Sequence, residues 1–199
     1  MAFPLLESLA IDNGIILNAR WHEARYAKAY QEYYGLAPEF GLLENITLDI
    51  PTLGYFKLRI AYNKTEHEVE LTPYHARHIK TLKVVDTQQL DYHLKYTDRT
   101  RINELYALRD DADDILIVNN GMVSDTSIAN LVFLNNGQWY TPTTPLLEGT
   151  QRAKLLHEKV IIEKTITKEE LKTFEAFQMI NALRPFAPQK ASSVKNILF

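Results

Sequence analysis

Cysteine is missing from all 199 residues, which removes disulfides, thiolate metal centres and a cysteine nucleophile at once. Surplus positive charge is missing as well: 22 lysines and arginines face 25 aspartates and glutamates, for a net charge of −3. Proteins that hold nucleic acid through its phosphates are usually basic, so this balance argues against that class. No apolar run approaches the roughly 20 residues that cross a bilayer. The opening Met1-Ala2-Phe3-Pro4-Leu5-Leu6-Glu7 also lacks the basic region of a secretory leader. A cytoplasmic protein, bound to neither membrane nor nucleic acid, is the expectation. Nor is a metal centre expected. His75-Ala76-Arg77-His78 has the spacing of a ligand pair, yet no third ligand is evident, and Arg77 and Lys80 would repel a cation. No Gly-x-Ser-x-Gly elbow supports a serine hydrolase.

What is present is an ordinary folded composition, 46% hydrophobic and 24% charged. Leu5–Ile11 reads as a strand, Asp12-Asn13-Gly14 as a hairpin turn and Ile15–Leu17 as the returning strand. Asn18 is placed to cap a helix over Arg20–Tyr34 that Gly35 ends, with His22, Arg25 and Tyr26 on one side of it. Residues 36–53 are irregular, punctuated by Pro38, Pro51 and Gly54. Tyr55–Tyr62 and Glu66–Leu71 alternate with strand period about a loop at Asn63–Thr65, and Ile79–Val85 is a further strand. A helical pattern follows over Asp98–Leu108. Two buried-type strands, Ile115–Val118 and Leu131–Leu134, are each followed by an Asn-Gly turn. Gln151–Lys159 has helical spacing, Thr167-Lys168-Glu169-Glu170 is a capping box opening a helix to about Thr173, and Phe177–Ala182 is strand-like. Two lobes are expected, over residues 1–88 and 89–199, with a ligand cleft between them.

Several residues invite chemistry. Leu147-Glu148-Gly149-Thr150-Gln151-Arg152 places a glycine at a helix start, where backbone N–H groups and the helix dipole suit a phosphate. An ordinary loop-to-helix junction has the same composition. Arg25 is either a solvated helix arginine or an anion ligand. Asp125, in a Ser-Asp-Thr-Ser cluster, is either a turn residue or a carboxylate for a ring nitrogen. Lys95, by itself, is one lysine near a turn.

The order of these pieces resembles the class IV aminotransferases, the pyridoxal-phosphate enzymes of fold type IV. That family includes branched-chain and D-amino acid aminotransferases and aminodeoxychorismate lyase. Leu6-Glu7-Ser8-Leu9 through Asp12-Asn13-Gly14 and His22-Glu23-Ala24-Arg25 is similar to the family's opening strand, turn and His-x-x-Arg helix. Lys95 matches its Schiff-base lysine. Asp125-Thr126-Ser127-Ile128-Ala129-Asn130-Leu131 resembles the segment whose first acid meets the pyridine nitrogen. Thr141-Pro142 and Leu147 to Arg152 resemble the segment whose leucine packs on the ring and whose residues after the glycine hold phosphate.

The resemblance thus implies an α+β fold with a small mixed α/β lobe and a larger β-rich, barrel-like lobe, forming a homodimer. It implies pyridoxal 5'-phosphate as cofactor, Lys95 as catalytic base, and Arg25, Asp125, Leu147, Gly149, Thr150, Gln151, Asn181 and Ala182 around the cofactor. Asn181-Ala182-Leu183 resembles the lyase branch more than the transaminases' Gly-Thr-Ala-Ala. Thr100 stands where branched-chain transaminases carry a tyrosine five positions after the lysine. Asp125 replaces the usual glutamate, and the chain is short for the family. The expected activity is therefore a lyase converting 4-amino-4-deoxychorismate to 4-aminobenzoate and pyruvate, in folate synthesis. A small amino-acid aminotransferase is the alternative, and an inactive cofactor-binding relic the third reading. Lys57, Arg59 and Arg184 are candidates for substrate carboxylates.

Overall fold

The structure is a computed structural model that describes residues 2–44 and 46–199; Met1 of the opening segment and Asn45 of the irregular stretch lie outside the described residues. The chain divides into two compact units, Met1–Ala76 with Leu94–Asp98, and Arg77–His93 with Arg99–Phe199.

The first unit is an antiparallel sheet under one long helix. Strand β1 (Leu5–Asp12) pairs with β2 (Ile15–Ile16) and with β3 (Tyr55–Tyr62), which pairs in turn with β4 (His67–Pro73), giving the order β2-β1-β3-β4. The hairpin between β1 and β2 turns on Asn13 and Gly14, with φ of 47° and 84°. Both angles are positive, which a two-residue turn of this hand requires and which Asn-Gly supplies at least cost. Strand period places Leu5, Leu9 and Ile11 on the face shared with Leu58, Ile60 and Tyr62, since paired residues point the same way. Helix α1 (Ala19–Tyr34) covers that face through Tyr26, Ala29 and Tyr30. Asn18 departs from expectation in one respect. It adopts the left-handed conformation at φ 55° and makes no side-chain cap, so it turns the chain into the helix rather than capping it. Glu23 ties the following loop to α1, accepting from the N–H groups of Leu42 at 2.7 Å and Leu43 at 3.0 Å.

The second unit is richer in strands than its sequence pattern suggests. One sheet has the order β13-β5-β6-β7, from β5 (Leu82–Thr87), β6 (Asp114–Asn119), β7 (Met122–Thr126) and β13 (Ile197–Leu198). The other has the order β10-β9-β8-β11-β12, from β8 (Asn130–Asn135), β9 (Gln138–Pro142), β10 (Ile162–Lys164), β11 (Ala176–Ile180) and β12 (Ser192–Ser193). Their inner faces meet in one core: Leu82, Val84, Leu116 and Val118 from the first sheet, Leu131, Phe133, Phe177 and Met179 from the second. Each such buried side chain contributes about 1.5–3 kcal/mol relative to exposure, so this cluster dominates the unit's stability. Helix α2 (Thr100–Ala107) precedes β6, and α3 (Thr150–His157) links β9 to β10. The capping box forms reciprocally, Thr167 N–H to Glu170 Oε2 at 2.8 Å and Glu170 N–H to Thr167 Oγ1 at 3.4 Å. It opens a 3-10 turn over Glu169–Thr173 rather than an α-helix.

Candidate active site

In the first unit the notable residue is one that the pattern alone would assign to an apolar side chain. Glu7 sits on the helix-facing side of β1 between Leu5 and Leu9, and is 1% exposed. From α1 above it, Arg25 reaches down side-on, Nε to Oε1 at 2.7 Å and Nη2 to Oε2 at 2.6 Å. His22, three residues earlier and so on the same side of the helix, brings Nδ1 to 2.6 Å from Oε2. Burial pushes the Glu7 carboxyl up, but the Arg25 charge and the hydrogen bonds from His22 and Arg25 outweigh it and hold it at about 2. Glu7 is therefore ionised, and Arg25, 14% exposed at its side chain, is held in one plane by it.

Lys95 belongs to a segment stitched along the same strand. The Leu6 N–H donates to the Lys95 carbonyl at 3.0 Å, and the Thr97 N–H to the Pro4 carbonyl at 2.8 Å. The Tyr96 N–H donates back to the Leu94 carbonyl at 2.9 Å, an i to i+2 bond that makes a γ-turn centred on Lys95. Leu94 and Tyr96 both pack into the cluster of Leu5, Ala29, Tyr30 and Tyr62. Lys95, half-buried, stands between two packed neighbours and outside that cluster. On the sheet face opposite α1, Lys57 pairs in register with Ala10 and Arg59 with Ser8. Arg59 lies 3.7 Å from the exposed Glu68.

The second unit builds a polar nest around Asp125. The first three residues of the Ser-Asp-Thr-Ser run are buried strand, not turn: Ser124, Asp125 and Thr126 are 1%, 5% and 3% exposed, and Ser127 begins the bend that follows. Each is satisfied locally. Ser124 Oγ donates to the Thr144 carbonyl, Asp125 accepts from two sides, and Thr126 Oγ1 accepts from the Ala129 N–H. Asp125 accepts from Asn130 Nδ2, to Oδ1 at 2.8 Å, and from the Leu147 N–H, to Oδ2 at 3.0 Å. The same Asn130 amide also donates to the Leu147 carbonyl at 2.8 Å. One asparagine thus joins the carboxylate to the loop ahead of α3. Burial drives Asp125 up to about 6, against the Leu147 N–H, the Asn130 amide and the Arg152 charge, which all pull it down.

Gly149 is explained by the same asparagine. Its φ of −68° suits any residue, so dihedral freedom is not the reason for glycine. A Cβ there would stand 2.0 Å from Asn130 Oδ1, well inside contact distance. Gly149→Ala must therefore push the Asn130 amide off Asp125 and Leu147. We expect a loss of about 1–3 kcal/mol of stability, read as a lowered urea midpoint. An unchanged midpoint would mean that the nest gives way freely. Beyond Gly149, Thr150, Gln151 and Arg152 open α3 and are 3%, 5% and 5% exposed. N–H groups of a helix's first turn point out of the helix at the positive end of its dipole, and the capping glycine contributes no side chain over them. Arg152 donates to the Pro142 carbonyl at 2.9 Å and to Glu163 at 2.5 Å.

Asn181 ties the end of β11 to this nest, its Nδ2 donating to the Ile128 carbonyl at 3.0 Å while its Oδ1 accepts from the Leu183 N–H at 2.9 Å. Ala182 lies in the turn between Asn181 and Arg184, which bond each other through their backbones at 3.1 Å. Arg184 donates through Nη2 to the Arg77 carbonyl. The structure thus gathers Asp125, Leu147, Gly149, Thr150, Gln151 and Asn181 within the second unit, and Lys95, Arg25, Lys57 and Arg59 within the first. Glu7 and Asn130 are the linking residues not singled out from sequence. For Glu7 the signal was legible: an acid at an inward position of an alternating strand.

A model of the amino-transferase class IV family matches residues 5–191. The chain belongs to that family. An uncharacterized protein of Haemophilus influenzae is 41% identical over 184 residues, covering 91% of this chain and 98% of that one. The solved structure of a Haemophilus somnus protein, provisionally assigned as a 4-amino-4-deoxychorismate lyase, is 35% identical with a TM-score of 0.83, covering 94% of this chain and 99% of that one. A hypothetical aminotransferase of Mycobacterium tuberculosis in its pyridoxal-phosphate-bound form shares the fold, with a TM-score of 0.74 at 14% identity over 98% of this chain and 81% of that one.

The protein is accordingly an enzyme of fold type IV, dependent on pyridoxal 5'-phosphate and acting on small molecules. Among the described residues no helix is long and apolar enough to cross a membrane. The residues present fit the cofactor. Asp125 is a buried carboxylate whose ionisation is resisted by burial, and a protonated ring nitrogen would supply it with a countercharge. The start of α3, opened by a glycine packed against Asn130, offers backbone donors suited to a phosphate.

Proposed function

We propose that the chain is a 4-amino-4-deoxychorismate lyase, releasing pyruvate and leaving 4-aminobenzoate for folate synthesis. The observation that carries this reading is the near full-length match to the Haemophilus somnus protein, at 35% identity. Two local features support it. Asn181-Ala182-Leu183 is built as a turn fastened to Ile128, next to the Asp125 nest. Thr100 stands at the start of α2, in place of a transaminase-type tyrosine.

When bound, pyridoxal phosphate supplies the electron sink that the protein's own side chains lack. Lys95 would hold the cofactor through Nζ and would serve as the base for the proton on the substrate's amine-bearing carbon. Loss of that proton and departure of the neighbouring enolpyruvyl oxygen leave an aromatic ring; the departing enol becomes pyruvate. Asp125, held by Asn130 and the Leu147 N–H, would keep the ring nitrogen protonated. Leu147 would give the bound cofactor an apolar contact. Arg25 and the Gly149-Thr150-Gln151 helix start would hold the phosphate, and Lys57, Arg59 and Arg184 would receive the substrate's carboxylates. We further propose that the protein works as a cytoplasmic homodimer.

The reading is tested with two assays on one preparation. Pyruvate release from aminodeoxychorismate, with no keto acid added, is the expected result. Keto-acid-dependent amino transfer without pyruvate release would replace it with a small aminotransferase. Absence of both activities in cofactor-loaded protein would favour a cofactor-binding relic.

A further inference from the structure

We infer that Glu7 is a positioning residue for the cofactor, setting Arg25 in the plane in which it meets the phosphate; this rests on the reading of Arg25 as a phosphate ligand. Glu7 occupies a place where packing alone calls for an aliphatic side chain. Its strand neighbours on the same face, Leu5, Leu9 and Ile11, are fully buried. Burying a charged pair among them costs about as much as, or more than, the pair's attraction returns, so an apolar residue would serve stability at least as well. A carboxylate in that place therefore does something other than fill the core.

What it does is visible in its partners. An arginine side chain carries about 2 kcal/mol of rotamer entropy, which a ligand must overcome when it orders the side chain. Here Glu7 has already ordered it. The Nε–Nη2 edge of Arg25 lies along the two carboxylate oxygens at 2.7 and 2.6 Å, which determines where the Nη1 end lies. His22 fixes the carboxylate in turn at 2.6 Å, so the order of support runs from helix to strand and back to helix. The acid is buried at 1% exposure while the guanidinium side chain keeps 14%, so the positive group is the one presented outward. Orienting a ligand-binding group in advance raises affinity without adding a contact to the ligand.

The test compares pyridoxal 5'-phosphate with pyridoxal, which lacks the phosphate, by titrating the visible absorbance of the lysine adduct. In Glu7→Gln the dissociation constant for pyridoxal 5'-phosphate is expected to rise about tenfold or more, as befits a lost charge-assisted contact, while that for pyridoxal stays within about twofold. Arg25→Ala is expected to show the same selective loss. The double variant should be no worse than Arg25→Ala alone, because one residue acts through the other. Glu7→Asp keeps the charge but shortens the reach; it should show a smaller, equally selective loss, and it serves if Glu7→Gln does not fold by circular dichroism. Equal weakening of both ligands in the folded Glu7 variants would reduce Glu7 to a support of the fold and overturn the inference. Selective loss in Arg25→Ala with none in either Glu7 variant would overturn it too, while leaving the phosphate reading in place. Undiminished phosphate affinity in Arg25→Ala would instead remove that reading.

Discussion

Lys95→Ala is expected to bring turnover to background, with a loss beyond the ~10²–10⁴-fold typical of removing a general base alone. The excess arises because one side chain carries two tasks, covalent attachment and proton transfer. Its neighbours are fixed without it: the segment is held by the Leu6 to Lys95 and Thr97 to Pro4 backbone bonds and by the packing of Leu94 and Tyr96. The variant should thus fold and unfold like the parent. Steady-state pyruvate release, together with a thermal melt, checks both halves. Substantial residual turnover in a folded Lys95→Ala protein would place the base elsewhere.

Asp125→Asn should lower turnover by about 10²–10³-fold, the loss that follows when a fixed electrostatic partner is removed from a reacting group. The same variant has a signature in stability. Asp125 is raised from 3.8 to about 6 on folding, so the folded state binds a proton more tightly than the unfolded chain. Stability from this group is then highest below the unfolded value and falls as pH rises to about 6. The size is about 3 kcal/mol at 1.36 kcal/mol per unit, for a fully buried carboxyl. Glu7 has the opposite sign: held at about 2 against 4.5, it adds stability that is present above 4.5 and lost as pH falls towards 2. Between pH 4.5 and 6 the slope therefore belongs to Asp125. Melting midpoints of cofactor-free protein across that window should decline in the parent and stay flatter in Asp125→Asn. Parallel curves would mean that Asp125 is already ionised at low pH.

Much of the frame was legible because short-range rules decided it. Asn13-Gly14, Asn120-Gly121 and Asn136-Gly137 all turn with positive φ at both residues, as the dipeptides demand. Strand period gave β1 and β3, and apolar spacing gave α1 and α3. What escaped was settled by partners far along the chain. Ser124, Asp125 and Thr126 have the composition of a turn, yet they form an inward strand because Thr144 meets Ser124, Leu147 and Asn130 meet Asp125, and Ala129 meets Thr126. Asn18 has a capping side chain but spends its conformation on the corner before α1. Gly149 has the sequence setting of a helix opener, and only the position of Asn130 reveals that space, not flexibility, requires it. Glu7 needed Arg25 and His22, fifteen or more residues away, before its charge made sense in a core position.

The central claim is that Lys95 Nζ carries the cofactor. Reducing the yellow, cofactor-loaded enzyme with borohydride, digesting it and mapping the pyridoxyl adduct by mass spectrometry tests this directly. The account predicts one modified peptide, with the adduct on Lys95 and none in Lys95→Ala. An adduct on another lysine, or no adduct in protein that binds pyridoxal phosphate, would contradict it.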